Sequence, residues 1–162
     1  MIEETIFINY DEIIKFVKDN YGIDIFKVDK INRGSANIYS LNDNLYILKE
    51  FQSKYTKREI DKEIEIINHL RNDNIPVPEY VPLISNEYST IYKDRVIIMQ
   101  KYIDGYTMES NTGSEEQVLE SGFYLGKIIK SLEKSDIELD SNDISDWYSK
   151  NTIDERLNNK IS

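Results

Sequence analysis

The stretch Asn44-Leu-Tyr-Ile-Leu-Lys-Glu-Phe51, followed by Lys57-Arg-Glu-Ile-Asp-Lys-Glu-Ile-Glu-Ile-Ile-Asn-His-Leu-Arg71, decides how this chain folds. The first piece reads as a strand. Side chains alternate between its two faces, so Lys49 stands with Leu45, Ile47 and Phe51. The second piece reads as a helix whose apolar stripe is Ile60, Ile64, Ile67 and Leu70. Glu63 falls inside that stripe, with Glu59 beside it one turn earlier, while Asp61 and Glu65 point to solvent. An unpaired buried charge costs on the order of several kcal/mol. A lysine and a glutamate on faces that share an interior therefore predict an ion pair. The competing reading is a lysine that snorkels to water at a sheet edge.

Working outward, Asn72-Asp-Asn74 breaks the helix, and prolines at 76, 78 and 82 enforce an extended path. Residues 87–92 and 95–103 read as a hairpin turning at Lys93-Asp94 and ending at Asp104-Gly105. Upstream, 9–21 is an amphipathic helix ended by Gly22. Phe26, Val28 and Ile31 mark a strand closed by Asn32-Arg-Gly-Ser35, and 36–41 a second strand. Asn42-Asp-Asn44 then turns the chain into the strand that carries Lys49. The expected fold is α+β: a five-stranded antiparallel sheet crossed by one main helix over residues 1–105. A linker spans 106–114, and 115–162 is a helical segment. Its first helix carries Val118, Leu125, Ile129 and Leu132, with Gly122 and Gly126 placed for close packing. Ile144, Trp147 and Tyr148 begin another helix.

Composition narrows the function. The 162 residues carry 30 acidic and 20 basic side chains, a net charge of −10, which argues against a nucleic-acid partner. There is no cysteine, no positively charged apolar leader and no apolar run of transmembrane length, so the expectation is a cytoplasmic protein without membrane contact. His69, the one histidine, lies on the helix as a packing or surface residue, and neither a zinc pattern nor a nucleophile elbow is present. The loop around Gly34 and Ser35 has one glycine and matches neither the P-loop nor the dinucleotide fingerprint. By itself it is an ordinary hairpin. The apolar run Val96-Ile-Ile-Met-Gln-Lys-Tyr-Ile103 has a polar-aromatic exit where backbone groups could read a base.

Taken in order, several segments resemble the N-terminal lobe of the aminoglycoside phosphotransferase and choline kinase-like family, which has the protein kinase-like fold. They are Ile31-Asn-Arg-Gly-Ser-Ala-Asn-Ile-Tyr39, Tyr46-Ile-Leu-Lys49, Glu63-Ile-Glu-Ile-Ile-Asn-His-Leu70 and Ile75-Pro-Val-Pro78. Ile98-Met-Gln-Lys-Tyr-Ile-Asp-Gly105 and Leu125-Gly-Lys-Ile-Ile-Lys-Ser-Leu132 complete the set. The resemblance covers roughly residues 25–135. It implies that Gly34 and Ser35 lie over the phosphates of ATP or GTP, that Lys49 holds the α- and β-phosphates, and that Glu63 orients Lys49. Gln100 takes the gatekeeper position, and the backbone of Lys101 and Ile103 reads the base.

The departure lies in the catalytic half. The family's His-Gly-Asp or His-x-Asp loop, with its following Asn and metal-binding Asp, has no counterpart here, and Glu133 stands where a histidine is common. No catalytic residue and no Mg2+ ligand is therefore assigned. The reading is the ATP-binding lobe of an enzyme that transfers the γ-phosphate to a hydroxyl of a small metabolite or antibiotic. The acceptor would be bound through a C-lobe missing from this chain, and the chain alone is expected to be inactive. The alternative is a degenerate, non-catalytic lobe that binds nucleotide or protein; a third is an unrelated α+β interaction domain. An isolated lobe also exposes apolar faces, so self-association is expected, with Trp147 and Tyr148 as candidate surface.

Overall fold

The computed structural model describes residues 2–32, 34–105 and 112–137. The expected helix around Trp147 and Tyr148, and most of the linker, lie outside them. The first helix, α1, spans Tyr10–Tyr21; Asn9 caps it by accepting from the Glu12 N–H, and left-handed Gly22 ends it. Strands β1 (Val28–Ile31), β2 (Asn37–Leu41) and β3 (Tyr46–Glu50) form a meander. Asn42, Asp43 and Asn44 all have positive φ, which asparagine and aspartate adopt at low cost. Helix α2 (Lys57–Asn72) starts at a capping box, in which Thr56 and Glu59 satisfy each other's backbone N–H. Strands β4 (Ser89–Tyr92) and β5 (Arg95–Lys101) pair around Lys93-Asp94, both left-handed as a two-residue hairpin turn requires. Helix α3 spans Glu115–Leu132.

The strands form one antiparallel sheet in the order β1-β2-β3-β5-β4, so the expected five-stranded α+β sheet is what forms. One face packs on α1 through Ile13, Phe16, Val17, Tyr39, Leu41, Leu48, Ile97 and Met99. The other packs on α2 through Ile60, Ile64, Tyr80, Val96 and Ile98. Phe26 departs from expectation. It precedes β1 and is 73% exposed, and the Phe26 N–H donates to the Asn42 side chain at 2.9 Å instead of to a ladder partner.

The buried Glu50 ties the N-terminal segment to the α1 face. Its carboxylate accepts from the Thr5 hydroxyl at 2.5 Å, the Ile6 N–H at 3.2 Å and the Asn37 amide at 3.1 Å. Thr5 in turn accepts from the Tyr39 hydroxyl at 2.7 Å. Nearby, Glu3 pairs with Arg95 and accepts from the Ser53 N–H at 2.9 Å and hydroxyl at 2.7 Å.

Helix α3 touches the rest of the described structure on one side. His69 Nε2 donates to the Ser131 carbonyl at 3.2 Å, and the Ser131 hydroxyl donates to Asp73 at 2.6 Å. His69 is thus a packing residue, as expected. Val118, Leu119, Phe123, Leu125 and Ile129 are exposed, and nothing lies within 4 Å of a Cβ built on Gly122 or Gly126. The close packing expected at those glycines is not made among the described residues.

Candidate nucleotide site

Register places the sequence-derived residues on one face. Lys49 pairs with Ile38 on β2 and Ile98 on β5, and Ile47 pairs with Gln100. Directly opposed residues share a face, and so do alternate ones, so Ile38, Ile47, Lys49, Ile98 and Gln100 line the α2 side of the sheet. The loop of Gly34 and Ser35 reaches the same face. Gly34 has φ +88, and a Cβ there would come within 3.3 Å of the Ile38 side chain, the residue opposite Lys49. Ser35 is exposed.

Lys49 is half-buried, and its ammonium is held below the ordinary lysine range by desolvation, opposed by the negative charge of Glu63. The expected ion pair, however, is not formed. Lys49 takes part in no ion pair among the described residues. Glu63 sits at the exposed rim of the α2 stripe, where its carboxylate accepts from the Tyr80 hydroxyl at 3.3 Å. The stripe is narrower than its spacing suggests. Ile60, Ile64 and Leu70 are buried, while Glu63 borders a concavity lined by Arg58, Glu59, Lys62, Ile66 and Ile67.

At the β5 exit, Tyr102 N–H donates to the Leu45 carbonyl at 3.0 Å and Phe51 N–H to the Val96 carbonyl at 2.9 Å. Antiparallel alternation then makes Tyr46–Lys101 a pair whose backbone groups point away from each other. The Lys101 N–H donates to the Glu79 carbonyl at 2.8 Å, so it is not open to a ligand as expected. The Lys101 carbonyl faces the same way and the Ile103 N–H lies two residues on. Among the described residues neither has a backbone partner outside the strands. Gln100 is buried, and its side-chain oxygen has no partner.

Two functional candidates escaped the sequence reading. Tyr80 follows a proline-fixed segment with no periodicity to mark its inward side chain. Glu50 did carry a signal, since it shares the strand face of Tyr46 and Leu48. Among the described residues no group of three or more acidic or histidine side chains is arranged to hold a metal. No described helix is long and apolar enough to cross a membrane.

Comparison with known proteins adds the lineage. A model of the phosphotransferase enzyme family matches residues 27–158, well over half of the chain. The chain belongs to this phosphotransferase enzyme family. Its fold is also that of solved kinases. A spectinomycin phosphotransferase in complex with ADP and spectinomycin superposes with TM-score 0.63 at 20% identity, over 75% of this chain and 37% of that one. An amicoumacin kinase with AMP-PNP, Ca2+ and Ami gives 0.66 at 15%, over 81% and 42%. A microcompartment-associated aminopropanol kinase gives 0.54 at 19%, over 86% and 47%. The chain therefore spans less than half the length of each of these structures. No curated protein matches it. Within the family the sheet and α2 correspond to a kinase-like N-terminal lobe.

Proposed function

We propose that this chain supplies the nucleotide-holding lobe, residues 1–105, of a small-molecule phosphotransferase. Lys49 holds the α- and β-phosphates of ATP under the Gly34-Ser35 loop, and Glu63 orients Lys49. The Lys101 carbonyl and the Ile103 N–H accept from and donate to the base. One observation carries this reading: a half-buried ammonium that lacks an ion pair among the described residues stands on the α2 side of the sheet, opposite the isoleucine that the Gly34 loop approaches. Such a cation is costly to the fold and is satisfied by an anion from outside. The apolar neighbours Ile38 and Ile47 suit the face of a purine. The small-molecule substrates named for the related structures, spectinomycin and amicoumacin among them, support an acceptor of that class. The described residues do not form a metal cage, so the divalent ion that accompanies the nucleotide is assigned no protein ligand and no step here.

Titration of the 15N-labelled chain with ATP–Mg2+ tests the reading. The amides of Gly34, Lys49 and Ile103 are expected to shift together, and Ile103→Pro, which deletes the N–H, to weaken binding about tenfold. Shifts confined to other surfaces, or no saturable shift, would reject it.

A further inference from the structure

We propose that Tyr80 is the positioning residue for Glu63, holding its carboxylate where it can act on Lys49. This rests on the nucleotide-lobe reading for its functional meaning, but its geometry stands apart. Tyr80 is fixed from three sides. Its backbone bridges Gln100 on β5, and the Val81 N–H donates to the Met99 carbonyl at 2.8 Å. Its ring is buried among Ile60, Ile64, Val96 and Ile98, between α2 and the sheet. Just before it, Glu79 pairs with Arg71 in the last turn of α2 at 2.5 Å and with Lys101 at the β5 exit at 2.6 Å. Those exposed pairs add little stability, but they set the alternation that sends residue 79 outward and residue 80 inward.

The phenol is therefore rigid, and its hydroxyl emerges beside a carboxylate that is not. Glu63 is exposed, on a helix rim, with several rotatable bonds. Holding such a side chain in one rotamer costs conformational entropy. The hydrogen bond to Tyr80 at 3.3 Å engages one carboxylate oxygen and leaves the other uncommitted among the described residues. Burial, reinforced by the Glu63 charge, pushes the Tyr80 phenol above its ordinary range, so it remains a donor at every working pH. The tripeptide Glu79-Tyr80-Val81 thus joins the strand exit proposed to read the base to the helix that carries Glu63.

Tyr80→Phe removes the hydroxyl and keeps the ring. In the full chain without nucleotide, the Lys49 amine can be titrated by NMR after reductive 13C-methylation. The substitution is expected to lower the Lys49 pKa, because a released carboxylate no longer supports the charged form. It is also expected to raise the ATP–Mg2+ dissociation constant about three- to tenfold, and to do neither in a Glu63→Gln background. An unchanged Lys49 titration would overturn the proposal, as would an equal loss of affinity with Glu63→Gln present. If the wild-type chain binds no ATP, the nucleotide reading falls, while the Lys49 titration still decides whether Tyr80 positions Glu63.

Discussion

Replacing Lys49 by methionine is expected to weaken ATP–Mg2+ binding by roughly 10- to 100-fold, the worth of a charged hydrogen bond to phosphate, and to make the fold more stable. The two effects have one cause. Lys49 sits half-buried on a largely apolar face and finds no carboxylate within reach of an ion pair among the described residues. Its ammonium is desolvated and the Glu63 charge offsets that only in part, so its folded pKa lies below the ordinary 10.5. The unfolded chain then binds the proton more tightly than the folded one. The penalty is fully present at neutral pH and is relieved as pH climbs from the folded value toward 10.5. Methionine keeps the length and apolar stem while removing the charge, and should add about 1 kcal/mol at pH 7. Urea midpoints of the two proteins should converge as pH rises toward 10. A Lys49→Met chain that is less stable at pH 7 would mean the lysine serves the fold and not a ligand.

Glu50 should behave in the opposite way. It neighbours Lys49 on β3 but faces α1, where it is 1% exposed and meets three donors. Glu50→Ala would leave the Thr5 hydroxyl, the Ile6 N–H and the Asn37 amide without their acceptor, besides opening a void. The expected cost is about 3–4 kcal/mol, a large fraction of the roughly 5–15 kcal/mol that holds a domain of this kind. Chemical denaturation should show a lower midpoint with the slope unchanged. Glu50→Gln, which keeps the shape and one acceptor, should cost less than half as much. A wild-type-like midpoint for Glu50→Ala would show that residues 3–7 are not anchored by this carboxylate.

Much of this architecture is legible in the sequence because the signals are local. Alternation through Ile47, Leu48 and Lys49 sets the β3 faces, and Lys93-Asp94 supplies the left-handed residues a tight hairpin needs. The Asn42-Asp-Asn44 turn and the Thr56 capping box are likewise written in neighbouring residues. What escapes is tertiary. Glu63 reads as buried because it lies among isoleucines on a helical projection, but α2 presses only Ile60, Ile64 and Leu70 inward. Its partner is a phenol 17 residues away, which no spacing rule connects to it. The Lys101 N–H reads as open at a strand end in the sequence, but the extended run before Tyr80 returns to cover it. The apolar face of α3 reads as core, but among the described residues it is left bare.

The adjacency of Lys49 and Glu50 bears on how the chain finds its strand pairing. A strand slipped by one residue against β2 exchanges its two faces. Here such a slip would push an ammonium, which can only donate, into a nest of donors built by Thr5, Ile6 and Asn37. It would also turn a carboxylate onto the α2 face, where the native register places an ammonium. Neither arrangement satisfies a single hydrogen bond of the native set. The pair is therefore a charge key that only one alignment turns, penalising the wrong meander as its faces become buried.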